Sequence, residues 1–259
     1  IPVSRRFWVW EAESEENGFI HDTMLCVKIA YVTHTRFPTE KAHGHQIARV
    51  AEAMVKLGHD VTLASPDILN KITHDHVQYY HLEKDFTAKK IETFDAFQSK
   101  IIPGRFAFLF TMSGYRRSLK KYFADNKFDL LYARSPQVLP ALLSTKMPVV
   151  LELHTLPKRG KSKFTALCKK CKRVVCLTSP MRDELVSWGV PKNKIIVEGD
   201  AVDLERFEKL PTINKAKHHF GVPDDRFIIG YIGSLVTMDK VQKGVEILIK
   251  AMPSLKQHY

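Results

Sequence analysis

The sequence predicts an α/β architecture: a doubly wound, Rossmann-like parallel sheet, followed by the first strand and helix of a second Rossmann-like domain. Two observations carry this. Apolar runs of strand length recur at 27–33, 61–65, 129–133, 149–154, 174–179 and 195–197, and continuous rather than alternating apolarity marks strands covered on both faces. The stretches between them are of helix length, and strands that alternate with helices wind into a parallel sheet.

Residues 1–23 have no periodicity and precede Met24, which stands directly before the first apolar run. They are expected to be a disordered or non-native extension, with Met24 as the natural start. The run 27–33 (VKIAYVT) is the first strand, followed by a polar loop and by Ile47, Val50, Met54 and Leu57 at helical spacing. Gly58 closes that helix, because glycine readily adopts the left-handed conformation past a helix end, and Asp60 leads into the strand 61–65. Later, Pro180 at a first helical position, Asp183 and Glu184 soon after it, and Gly189 beyond the end frame another helix. The stretch 208–219 is polar, contains Pro211 and precedes a fresh apolar run at 227–232 and a helix from about Lys243. The expected division is therefore 24–207 as one domain, 208–225 as a linker and 226–259 as the start of a second domain, cut short.

The formal charge of +12 and a pI near 9.5 favour an anionic partner, which a nucleotide diphosphate, an acidic lipid surface or nucleic acid would each satisfy. No helix-turn-helix, zinc-finger or aromatic platform motif supports nucleic acid. The longest apolar run, 106–110, falls far short of the roughly 20 residues that cross a bilayer. Residues 11–17 are acidic and polar where a secretory signal needs an apolar segment, so the cytoplasm is the default location. The four cysteines do not form a disulfide framework: Cys26 and Cys176 lie in apolar strand-like runs, Cys168 and Cys171 on a basic helix-like segment. Cys168 and Cys171 lack the second C-x-x-C of a zinc ribbon, and His34, His43 and His45 have no carboxylate or cysteine placed to complete a tetrahedron, so no metal site is expected.

Ligands of open parallel sheets gather at the carboxyl ends of the strands. The loop after the first strand, HTRFPTEKAHGHQ, has a single glycine, Gly44, in place of G-x-G-x-x-G, and no G-x-x-x-x-G-K-[ST] loop occurs. Gly44 suits a helix start that a phosphate approaches closely, or it merely eases the turn into the helix. The basic stretch Lys158, Arg159, Lys161, Lys163, Lys169, Lys170, Lys172 and Arg173 is either a contact for anionic lipid or a solvated face.

Several segments in order resemble the GT4 family of GT-B glycosyltransferases: KIAYVTHTRFPTEKAHGHQIARVAEAMVKLGHDVTLASP, then LLYARSP, then VVLELHTLP, then VVCLTSPMRDELVSWGVPKNKIIVEGDAVDLERF, and last FIIGYIGSLVTMDKVQKGVEILIKAM. The resemblance covers about 25–259. It implies that 24–207 is the acceptor-side, N-terminal GT-B domain and that 226–259 opens the donor-side domain. It implies a retaining transfer of a hexosyl-type group from a nucleotide-diphosphate sugar to an acceptor, lipid-linked or carbohydrate, with no cofactor and no obligatory metal. His154 aligns with a histidine common in the acceptor domain and is the implied catalytic residue. Gly44, Gly233 and Lys243 are the implied donor-phosphate contacts, and Arg134 and Ser135 are acceptor-side candidates. Ser234 stands where the family has an arginine, so one cationic contact to the diphosphate is missing from the pattern. The Glu-x7-Glu element of the family is not reached, which makes the chain a fragment expected to be inactive alone. The family's lipid-linked acceptors imply work at the inner face of a membrane. The alternative is a non-catalytic half or binding subunit completed by a partner chain.

Overall fold

The computed structural model describes residues 26–208, 210–225, 228–236 and 242–256. The expectation for 1–23 lies outside the described residues. The chain divides after Asp200 into two compact units.

The first unit is built on a seven-stranded sheet in which every adjacent pair is parallel. The strands are β1 (Lys28–Val32), β2 (Asp60–Asp67), β3 (Thr87–Glu92), β4 (Leu130–Ala133), β5 (Val149–Leu153), β6 (Arg173–Cys176) and β7 (Ile195–Val197), and their order across the sheet is β3-β2-β1-β4-β5-β6-β7. The strand order reverses between β1 and β4. Such a switch point opens a crevice at the carboxyl ends of the strands, where neighbouring connections depart to opposite faces.

The alternation of side chains along each strand separates two cores. On one face Ile29, Tyr31, Val61, Leu63, Tyr132, Val150 and Val175 pack with Ile47, Ala48, Ala51 and Met54 of α1 (Ala42–Lys56). On the other face Ala30, Val32, Leu131, Ala133, Leu151, Leu153 and Val174 meet the remaining helices. Of α2 (His76–Tyr80), α3 (Gly104–Asp125), α4 (Leu139–Leu142), α5 (Lys161–Lys170) and α6 (Ser179–Ser187), all but α2 contribute to this second core. Both sheet faces are thus covered, which explains why the inner strands read as near-continuous apolar runs.

Local signals place the helix ends. Gly58 has φ 87° beyond α1, and Gly189 has φ 92° beyond α6. Thr178 caps α6 by accepting from the Met181 N–H at 3.4 Å. Within α1, Glu52 is buried but fully engaged: it takes Arg49 Nη1 at 2.7 Å, and its other oxygen accepts from the backbone N–H groups of Glu83 and Lys84 at 2.5 and 3.1 Å. This carboxylate ties the first helix to the segment leading into the edge strand.

The second unit carries α7 (Glu205–Glu208), α8 (Ile213–His219) and α9 (Val245–Lys256). The polar stretch expected as a linker therefore contains a helix, α8, which Thr212 caps by accepting from the Lys215 N–H. The strand expected at 227–232 is absent over its described part: residues 228–232 carry no strand. A strand needs a ladder partner to satisfy its backbone groups, and the pairing found among the described residues of this unit is one isolated bridge, Val236 with Gln242. Among the described residues, no helix is long and apolar enough to cross a membrane.

Candidate functional site

The carboxyl ends of β1, β4 and β5, with the first turns of α1, bring together most of the side chains singled out in the first unit. Leaving β1, Thr33 is fixed by its N–H to the Ala64 carbonyl at 3.0 Å and accepts the buried Tyr115 hydroxyl on its own carbonyl at 2.9 Å. His34 follows, and its Nδ1 lies 2.6 Å from Ser135 Oγ. Burial first, and then the neighbouring His43 and Arg134 charges, bring the His34 imidazole down to about 4. His34 is consequently neutral at neutral pH. His43 is lowered too, by burial and by the Arg134 charge.

Arg134 and Ser135 extend β4. The Arg134 N–H continues the ladder to the Val32 carbonyl at 3.2 Å, while its Nε donates to Gln46 Oε1 at 2.7 Å. Ser135 is 3% exposed and sits beneath His34. Beyond β5, His154 bonds through Nε2 to Glu152 Oε1. Glu152 is 4% exposed, and the same oxygen accepts from Gln46 Nε2 at 2.9 Å. A continuous chain therefore runs from Arg134 through Gln46 and Glu152 to His154, spanning β4, α1 and β5. Burial works to raise the Glu152 carboxyl, but bonds from His154, Tyr132 and Gln46 outweigh it and hold the group below its ordinary value. The tyrosines beside it respond oppositely: burial, reinforced by the Glu152 charge, pushes Tyr31 and Tyr132 well above the usual phenol range.

The arrangement offers a cationic guanidinium, a polar hydroxyl and two imidazoles at the mouth of the switch point. Together these can bind hydroxyls or an anion and can hold or move a proton.

Gly44 has a different setting from the one expected of a phosphate contact. Its N–H donates to the Lys41 carbonyl at 2.8 Å, and a Cβ here would lie 2.4 Å from both Thr39 Cγ2 and the Tyr80 hydroxyl. Glycine is thus required at this position by the protein's own packing. Gly233 and Lys243 belong to the second unit. Gly233 has φ 151°, a region that favours glycine. Lys243 is exposed, with its backbone N–H donating to the Leu235 carbonyl at 3.0 Å, two residues before α9. Beside Gly233, the Ser234 carbonyl accepts the Tyr231 hydroxyl at 2.7 Å.

Gln46 and Glu152 were not among the expected site residues. The available signal was Glu152 itself, a carboxylate inside the otherwise apolar run VVLEL, since a charge within a buried strand demands partners. Cys168 and Cys171 are buried in the core with thiols pushed up to about 12 by burial, the state of packing residues. Among the described residues, no group of three or more His, Cys, Asp or Glu side chains is placed to hold a metal ion.

Solved structures share this fold. A glycosyltransferase from Rickettsia africae superposes with a TM-score of 0.62 at 17% identity, covering 90% of this chain and 58% of its own. For sucrose-phosphate synthase from Thermosynechococcus elongatus the TM-score is 0.60 at 16% identity, with 86% and 59% covered. HepE from Anabaena, in complex with UDP and glucose, gives 0.56 at 16% identity, with 87% and 57% covered. The chain thus spans less than two thirds of the length of each of these structures. No curated protein matches the chain. The sequence pattern of Glycosyltransferase Family 4 matches residues 43–206, more than half of the chain and a span that runs from within the first turn of α1 past β7, and the chain belongs to that family.

Proposed function

We propose that the chain is the acceptor-side part of a retaining glycosyltransferase that moves a hexosyl group from a nucleotide-diphosphate sugar to an acceptor. The observation that carries this reading is the convergence of His34, Arg134, Ser135 and His154 on the switch point of a family 4 domain. The UDP and glucose in the complex of Anabaena HepE support a nucleotide-sugar donor. His154 is assigned contact with the reacting sugar, and Arg134 and Ser135 are assigned the acceptor. In the first unit, the N-terminal turn of α1 at Gly44 is assigned to phosphate through the positive end of the helix rather than through the Gly44 N–H alone. In the second unit, Gly233 and Lys243 are assigned ligands of the same class. Exposed Ile232, Leu235, Ile247 and Ile249 support the reading that this unit is completed by further donor-side structure.

The test is release of nucleotide diphosphate from a panel of nucleotide sugars, run on the chain by itself and on an enzyme carrying both halves. The chain alone is expected to be silent and the two-half enzyme active. Lys243→Ala in the latter should cost about 2–4 kcal/mol in turnover, the loss expected for one donor aimed at developing negative charge. Robust turnover by the chain alone overturns the half-enzyme reading. Silence of the two-half enzyme toward every donor overturns the transferase reading in favour of a binding subunit.

Contact with an anionic membrane surface is part of the same proposal, and α3 supports it more strongly than the basic stretch at α5. The outward side of α3 begins with exposed Phe106, Leu109 and Phe110. Farther along, Ser113, Arg116, Arg117 and Lys120 line a shallow groove closed by Pro140 and Ala141 of α4. Apolar side chains next to a cationic groove suit a bilayer with acidic headgroups. Both regions have a cation engaged within the protein, Lys161 4.6 Å over the Trp188 ring and Arg116 Nε donating to the Gln137 carbonyl at 2.6 Å, so the apolar side chains beside the groove are what favour α3.

A further inference from the structure

We propose that Glu152 is a positioning residue: it fixes His154 as the Nε2–H tautomer and thereby leaves Nδ1 as the unprotonated nitrogen that His154 offers to a substrate. The polarity of the hydrogen-bonded chain leads to this assignment. Arg134 is a donor only, so the Gln46 amide must turn its Oε1 toward Arg134 Nε, 2.7 Å away. That orientation directs the Gln46 NH2 group to Glu152 Oε1, at 2.9 Å. The same Glu152 oxygen receives His154 Nε2. An ionised carboxylate accepts and cannot donate, so the imidazole supplies the proton from Nε2. Glu152 remains ionised because its bonding partners outweigh its burial.

A carboxylate at 4% exposure beside Tyr31 and Tyr132 is costly unless it is paired, and an apolar residue would pack this face of β5 without that cost. What an apolar residue cannot do is choose between the ring nitrogens of the histidine two positions on. In metal and catalytic sites alike, the active nitrogen of a histidine is set by the hydrogen bond made by the other nitrogen. The role of the freed Nδ1 toward a sugar rests on the transferase reading, whereas the tautomer does not.

The experiment is NMR on protein labelled with 15N-histidine, with two-bond 1H–15N patterns read at a pH where the ring is neutral. His154→Gln assigns the resonance among the 12 histidines. The wild type should show His154 as Nε2–H. Glu152→Leu, which keeps an apolar side chain of similar size on the buried face, should turn this into a mixture containing Nδ1–H. A purely structural role for Glu152 predicts no change of tautomer in a folded variant, and that result would overturn the proposal. So would an Nδ1–H form in the wild type, which decides the matter even if the leucine variant fails to fold. Failure of the donor assay with the tautomer intact would instead remove only the transferase reading.

Discussion

Position 44 shows how closely one residue can be constrained. The Tyr80 hydroxyl accepts from the Thr39 N–H and donates to the Thr39 carbonyl, both at 2.8 Å, and burial pushes this phenol up to about 12. A methyl group on Gly44 would occupy the place of that hydroxyl. Gly44→Ala should therefore destabilise the domain by about 3 kcal/mol, combining overpacking of about 1–3 kcal/mol with weakened buried hydrogen bonds worth about 1 kcal/mol each. In urea denaturation, Tyr80→Phe combined with Gly44→Ala should cost less than the sum of the two single changes, because both act on one contact. Strict additivity, or a loss below about 0.5 kcal/mol for Gly44→Ala, would show that the loop gives way without cost. In the sequence alone Gly44 has two readings, a close approach of phosphate or an eased turn, since the packing partner lies 36 positions away at Tyr80. The family resemblance points to Arg134, Ser135 and His154, whereas Gln46 and Glu152 emerge only once α1, β4 and β5 are adjacent.

Elements differ in how plainly the sequence announces them. The inner strands β1, β4, β5 and β6 are apolar because both of their faces are covered, so their places were readable. The edge strand β3, TAKKIE, buries only Ile91 and gave no such signal. Helix α3 was hidden for a related reason: its first turns read as an apolar run, FAFLF, because Ala107 faces the core while Phe106, Leu109 and Phe110 face outward. That outward apolar face yields a prediction. Burial of a fully exposed large apolar side chain in a membrane is worth about 1.5–3 kcal/mol, and each nearby Lys or Arg adds about 1 kcal/mol on an acidic surface. The protein should sediment with vesicles of mixed phosphatidylcholine and phosphatidylglycerol, and less with phosphatidylcholine alone. Replacing Phe106, Leu109 and Phe110 together by serine should weaken binding at least about tenfold, since loss of even 1.4 kcal/mol has that effect. Equal sedimentation of wild type and triple variant would move the contact elsewhere, with the basic α5 region as the next surface to test.

At the scale of the whole molecule, the two units differ in how much they bury. The first has an apolar core on each face of its sheet, whereas the buried apolar side chains of the described chain end at Val190. In the second unit, α9 keeps Ile247 and Ile249 exposed at 73% and 64%. A helix of 12 residues without a fully buried apolar side chain is marginal in water, because tertiary packing offsets little of its nucleation cost. Hydrogen exchange should therefore separate the units. Amides of β1, β4 and β5 should exchange only through global opening, while those of α9 should exchange through local opening at far lower free energy. Addition of a donor-side half as a separate chain should slow exchange most across 242–256, where it orders a locally opening helix, because binding to the native form raises the free energy of every opening that releases the partner. If α9 in the chain alone were as protected as β5, its apolar side would already have found a surface. Self-association, checked by the protein concentration dependence of the protection, would then be the explanation to measure first.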